Sequence, residues 1–203
     1  MTEYTSTEIK ILKKLNTPKK IQDFLDRLKI NFEEKGETCY SPRLVLKHRL
    51  AHCMEGAMLA AAALEFHGQP PLVMDLRANS RDFDHVVTVF KQLGYYGAIS
   101  KTNHAALRYR EPVYKTIREL ALSYFHEYFD DQGRKNLREY SVLVYLNRFD
   151  NLHWRTSEKS LFKIPDKLDE AKHFSILSRR QIKNLRRADK IEIKAGKLLE
   201  WKK

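Results

Sequence analysis

Arg49-Leu-Ala-His-Cys53-Met-Glu-Gly-Ala57-Met-Leu-Ala-Ala-Ala-Ala-Leu64-Glu-Phe66-His-Gly68-Gln-Pro70 reads as a helix over residues 50–66. Its alanine content gives high helix propensity. Cys53, Ala57, Ala61 and Leu64 share one face at i, i+4, i+8 and i+11. Gly68 is a good stop, and Pro70 and Pro71 cannot continue the helix. Small side chains at so many positions let other elements approach closely, which makes this a buried central helix.

Upstream, residues 7–16 read as a short helix. Thr17 and Pro18 start a second one as N-cap and first position. Ile21, Phe24, Leu25 and Leu28 give it a helical apolar stripe to about Phe32, ahead of Gly36. A polar loop and a helical turn over 43–50 lead into the central helix. Downstream come three strand candidates: 72–76, the β-branched run 85–90, and 95–100. Only a few residues containing Gly94 separate the last two, so they form an antiparallel hairpin. Helices followed by an antiparallel sheet make an α+β domain over residues 1–110. Residues 111–203 read as a mainly helical extension: a helix over 113–129, a stretch of mixed apolar content over 137–149 after Gly133, a short basic helix over 181–188, then a terminal hairpin built on Ile191, Ile193, Leu199 and Trp201.

The composition excludes several classes. The chain has 203 residues, 42% of them apolar, enough for a sizeable core. Seven Gly and six Pro are too few for collagen-like or low-complexity sequence. No run approaches the roughly 18 apolar residues that cross a bilayer. The polar N-terminus carries no basic-then-apolar signal pattern, so an intracellular, cytoplasmic protein is expected. Cys39 and Cys53 are too few for a disulfide framework and form no Cys-x-x-Cys pair. Cys39 reads as a small buried hydrophobe.

Cys53 stands apart because it lies near a helix N-terminus, where unpaired N–H groups and the dipole favour an anion. A thiol there has a lowered pKa, and the thiolate is its nucleophilic form. Such a nucleophile needs a proton shuttle, usually His, and that His needs an orienting partner. His52 is adjacent but on a helix points to a different side. His85 opens the strand against which the helix would pack. With a turn near Leu93, the residue opposite His85 is about position 101, which makes Ser100, Thr102 and Asn103 the polar candidates for the His ring. Asp75, on the preceding strand, is a further candidate, while Asp84 would face the other side of the sheet. Glu55 reads as a first-turn acid complementing the helix dipole.

The run Arg49 to Ala57, continuing to Leu64 and Gly68-Gln-Pro, resembles the nucleophile helix of the transglutaminase-like superfamily. In that family a Cys begins a small-residue helix ending in a Gly-x-Pro step. Asp84-His85-Val-Val-Thr-Val-Phe90 resembles its histidine strand, and Gly94-Tyr-Tyr96 followed by Ser100 its Gly-Trp and Asp-bearing strand. Residues 18–42 resemble its N-terminal helices, so the likeness covers roughly residues 5–105. It implies a papain-like Cys–His layout and a transglutaminase-like core. It further implies acyl transfer or hydrolysis of a protein or peptide amide through a thioester on Cys53, with His85 as acid/base. This chain has Ser100 where family members usually carry Asp. Ser100 or Asn103 is then the orienting residue, and a member that binds or assembles without catalysis is the alternative.

Two rival readings and one further feature concern partners. From Lys159 onward the Lys/Arg excess is eight of the chain's +12. Arg179, Arg180, Lys183, Arg186, Arg187 and Lys190 can form a stripe for an acidic partner or nucleic acid. No base-reading motif accompanies it. Tyr124, Phe125 and Tyr128 recur at helical spacing and read as core. Cys53, His85 and His104 could serve as three zinc ligands, but no short-spacing pair supports a metal, and no cofactor is expected. Residues 101–112 can wall a substrate cleft, where Arg108 and Arg110 would favour an acidic group.

Overall fold

The computed structural model describes residues 4–202. Three helices, α1 (Ser6–Lys14), α2 (Pro18–Asp26) and α3 (Pro42–His48), precede the central α4 (Cys53–Phe66). A two-residue parallel pairing of β1 (Lys29–Ile30) with β2 (Leu50–Ala51) pins the chain just before α4. Threonine or serine caps start α1, α2 and α3 through Thr5, Thr17 and Ser41. The second helix ends at Asp26, short of the expected Phe32, because residues 29–30 are drawn into that pairing.

A seven-stranded sheet follows. Its strands are β3 (Leu72–Ala78), β4 (His85–Gln92), β5 (Tyr95–Ile99), β6 (Arg110–Tyr114), β7 (Leu137–Ser141), β8 (Val144–Tyr145) and β9 (His173–Ser175). The order is β6-β5-β4-β3-β7-β9, every pairing is antiparallel, and β8 also pairs with β3. The protein is thus α+β. The β4–β5 hairpin turns on Leu93 and Gly94, both at positive φ (51° and 87°), the two-residue geometry that matches strand twist.

Every residue of α4 from 54 to 64 is buried. Met54, Ala57, Met58 and Ala61 pack with Val73, Val86, Val144 and Trp154. Leu59, Ala60, Ala63 and Leu64 pack with Leu12, Ile21, Leu25, Val45, Phe90 and Ile99. The opposite sheet face, through Met74, Leu76, Val87, Val89 and Ala98, is covered by α5 (Ile117–Leu122) and the 3-10 turn Phe125–Glu127. A helix surrounded on all sides needs small residues, which explains the alanines.

Gly56 marks the tightest approach. A Cβ there would stand 2.5 Å from Lys101 Cβ. The Lys101 stem is fully buried across α4, and its ammonium donates to the Leu28 carbonyl at 2.6 Å. Gly56→Ala should therefore lower stability by about 1–3 kcal/mol through overpacking, overriding the ~1 kcal/mol helix preference for Ala. A lower denaturant midpoint with unchanged slope is the expected reading.

Residues 111–203 differ from the expected mainly helical extension. The expected helix over 113–129 is strand β6 followed by α5, whose start is set by Thr116 and Glu119 in a reciprocal cap. The stretch of mixed apolar content over 137–149 is β7 and β8 followed by a 3-10 segment, Leu146–Leu152, so the extension adds strands to the sheet by pairing with the edge of β3. The expected terminal hairpin is instead a helix over Lys190–Gly196, started by an Asp189–Glu192 capping box. It follows helices over Lys163–Asp169 and Arg179–Lys183. Strands from both halves share one sheet, so the boundary at 110 falls at the first residue of β6.

Candidate active site

Cys53 is the first residue of α4 and His85 the first of β4. Thr88 Oγ1 donates to the Ala57 carbonyl at 2.7 Å, tying the helix to the strand one turn further along both. Counting back four helical residues (~6 Å) and three strand residues (~10 Å) brings Cys53 and His85 to the same end of the molecule. There both side chains line one cleft, and the His85 imidazole is close enough to the Cys53 thiol to hold its pKa down.

His85 Nε2 lies 2.8 Å from Ser100 Oγ. The Ser100 hydroxyl donates its own hydrogen to the Leu107 carbonyl at 2.6 Å, so its oxygen accepts from His85 Nε2–H. That assignment leaves Nδ1 toward Cys53. Thr88 pairs with Ile99. Continuing the register sets Thr102 opposite His85 and places Ser100 as its diagonal neighbour on the same face. Ser100 is itself held by Gln22, whose amide bonds the Ser100 backbone N–H and carbonyl at 2.9 and 2.8 Å.

His52 does not point away from Cys53. As N-cap it has extended backbone (φ −91°, ψ −174°), so helical spacing does not govern it, and its ring too acts on the neighbouring thiol. Burial would push the Cys53 thiol up, but the hydrogen bonds and charges of His52 and His85 outweigh it and hold the thiol well below its ordinary range. Burial alone would push the His52 imidazolium down. The Cys53 and Glu55 charges reverse this, and its pKa is pushed up to about 9. Cys39, by contrast, is buried, and burial together with the Glu55 charge pushes its thiol up to about 12.

Asn103 does not reach His85. Its amide nitrogen donates to the Trp201 carbonyl (2.9 Å), and its oxygen accepts from the Trp201 N–H (2.8 Å), clamping the C-terminal segment. Asn103→Ala should speed amide exchange at Trp201 and leave the thiol titration of Cys53 unchanged; a shifted titration would return Asn103 to the site. Asp75 bonds His173 Nε2 at 3.0 Å, and Asp84 accepts from the Ala78 N–H at 2.7 Å, so neither is the His85 partner. Cys53, His85 and His104 do not come together as a ligand group among the described residues. The group that does is Asp75, Asp84 and Asp169, whose oxygens already serve His173 and Ala78.

Cys53 and His85 open onto a cleft of about 510 Å³. Residues from 101 to 107 form one wall, as expected. Ile193, Gly196 and Lys197 of the C-terminal segment form another. Arg108 and Arg110 are not in the lining; Arg108 pairs with Glu200 and Arg110 with Glu127. Along the cleft Glu127 and Asp130 are paired by Arg110 and Arg134, which leaves Asp82, Asp84 and Asp131 beside Arg81, Lys101 and Lys197. Among the described residues no helix is long and apolar enough to cross a membrane.

No known protein-family model matches this chain, and no curated protein sequence matches it.

Proposed function

We propose that the chain is a transglutaminase-like cysteine enzyme that performs acyl transfer or amide hydrolysis on a protein or peptide through a thioester at Cys53. The observation that carries this reading is the Cys53 thiol at the helix start sharing one cleft with a His85 ring whose Nε2 is anchored by Ser100. A Cys-bearing helix packed on an antiparallel sheet, with the histidine on the adjacent strand and its partner just past the next, supports the transglutaminase-like core.

The thiol proton passes to His85 Nδ1. The thiolate then attacks the substrate carbonyl, forming C–S. The C–N bond breaks as His85 returns that proton to the leaving nitrogen. In the second half His85 takes a proton from water or an amine, the new bond forms at the carbonyl, and the C–S bond breaks to regenerate the thiol. Ser100 fixes the ring but supplies no charge to balance the imidazolium. Two free cysteines fit a reducing compartment, and we place the protein in the cytoplasm.

An activated acyl ester tests the chemistry. We expect a stoichiometric burst of the leaving group at pH 7, with the acyl group found on Cys53 by mass spectrometry and lost in Cys53→Ala. Partition of the acyl group between added primary amine and water then separates transfer from hydrolysis. Acylation elsewhere, with the burst intact in Cys53→Ala, would overturn the reading.

A second reading, binding of an acidic partner or nucleic acid, is favoured by exposed Arg179, Arg180, Lys183, Arg186, Arg187 and Lys190. The acid among them, Asp189, is taken by Arg186 at 2.6 Å. If this segment binds a polyanion, affinity for a generic duplex should fall at least ~10-fold between about 50 and 200 mM salt; a flat dependence rules phosphate contacts out.

A further inference from the structure

Glu55 is the most completely enclosed acid near the site, with no exposed side-chain surface. It accepts from the His52 N–H (2.9 Å), the Tyr40 N–H (2.8 Å), Thr38 Oγ1 (2.8 Å) and Asn31 Nδ2 (3.0 Å). A buried carboxylate with four donors is held in one position. The His52 ring lies beside it: Nε2 is 3.4 Å from Glu55 Oε1 and 3.1 Å from the Thr38 carbonyl. A carbonyl only accepts, so Nε2 carries hydrogen. His52 therefore resembles His85 in having Nε2 anchored away from the thiol it adjoins in sequence. The two anchors differ in charge. His85 rests on a hydroxyl and His52 beside a carboxylate.

We propose that His52 is a second catalytic imidazole of the Cys53 site, with Glu55 as its positioning residue, and that this pair supplies the carboxylate-backed cation that Ser100 cannot give His85. The proposal rests on the reading of Cys53 as an acyl-transfer nucleophile. His52 keeps its proton throughout the cycle and balances the thiolate, while His85 alone carries the proton from thiol to leaving group. No atom is gained or lost at His52 itself.

The groups facing His52 are Cys53 and Glu55 on α4, Glu33 at 4.0 Å from the loop after β1, and the Thr38 carbonyl. His85 stands across the sulfur on β4, and the Cys39 thiol stays protonated through neutral pH. Two carboxylates and a thiolate surround one imidazole, so the charged form is favoured. The His52 proton is present at neutral pH and leaves only as pH rises through about 9.

The test is the pH–rate profile of iodoacetamide at Cys53 in the full chain, read by peptide mapping in wild type, His52→Gln, His85→Ala and Glu55→Gln. His52→Gln should slow labelling about tenfold or more at pH 6 and converge on wild type near pH 10, as expected for a lost thiolate rather than a lost fold. Glu55→Gln should give a smaller loss with the upper inflection moved down. Nitrogen-15 histidine spectra of the wild type read the His52 charge without any substitution. A neutral His52 ring at pH 7, or a His52→Gln profile matching wild type while His85→Ala differs, would overturn the proposal and leave the Cys53–His85 reading standing. An ordinary thiol titration in the wild type would remove both.

Discussion

Iodoacetamide at pH 6 should label Cys53 and leave Cys39 untouched. Each pKa unit by which a thiol is lowered gives ~10-fold more thiolate below its ordinary range and takes back ~3-fold in nucleophilicity, a net gain of about threefold. A thiol held well below its usual range by two imidazoles should thus react at least ~10-fold faster than a free cysteine at this pH. Cys39 is buried, its pKa is pushed up to about 12, and it offers neither access nor thiolate. His85→Ala leaves His52 on the sulfur, so labelling should slow only several-fold. Acyl-group turnover in the same variant should fall by about 10²–10⁴, because the proton shuttle to the leaving nitrogen is gone. A kinetic split of this kind separates a catalytic base from a residue that merely tunes the thiol. If turnover and labelling fall together, or if Cys53 labels only as pH approaches ~8.5 in both proteins, the shuttle role fails.

The elements around Cys53 are those most legible in the sequence. The alanine run, the Gly68 stop, the β-branched strand from His85 and the Gly94 hairpin each carry a local signal that agrees with the packing, and they set α4 against β4 and β5. Hairpin register narrows the partner of His85 to Ser100, Thr102 and Asn103, and the structure selects Ser100, the diagonal neighbour. What was not legible depended on partners distant in sequence. Leu137–Ser141 has no strong alternation, and only the open edge of β3 makes it a strand. Ile191 and Ile193 suggest alternation, yet Asp189 and Glu192 cap a helix there, a reciprocal signal readable from the spacing. Thr116 and Glu119 mark the start of α5 in the same way. Helical spacing does not apply to His52, because as N-cap its backbone is extended, and the Glu55 carboxylate three residues on accepts from its backbone N–H. Asn103 has the right residue type and position for an imidazole partner, and only the placement of Trp201 draws it away.

His173→Ala should be among the most destabilising single changes in the sheet, and its cost should depend on pH. Asp75, in the middle of β3, and His173, on the edge strand β9, are both buried and meet at 3.0 Å. The pair joins the last strand to the sheet interior across β7. Burial pushes the Asp75 carboxyl up from its ordinary value to about 6, opposed first by the hydrogen bond from His173 and reinforced by the nearby Asp84 charge. A folded-state pKa above the unfolded one means that folding binds a proton here. The penalty for the ionised acid is absent below the unfolded value, grows as pH rises, and is fully present above about 6. Removing His173 takes away the main group that holds that penalty down, so the Asp75 pKa moves further up. At pH 8 the variant must bury an unpaired carboxylate and should lose about 3–5 kcal/mol; near pH 4 the acid is neutral, and the loss should shrink to the packing cost of about 1–2 kcal/mol. Denaturant unfolding of wild type and variant at both pH values measures the difference. An equal loss at the two would show that His173 acts by packing alone. Asp75→Asn combined with His173→Ala should recover most of the pH 8 loss, because the stranded charge, not the missing ring, is what costs.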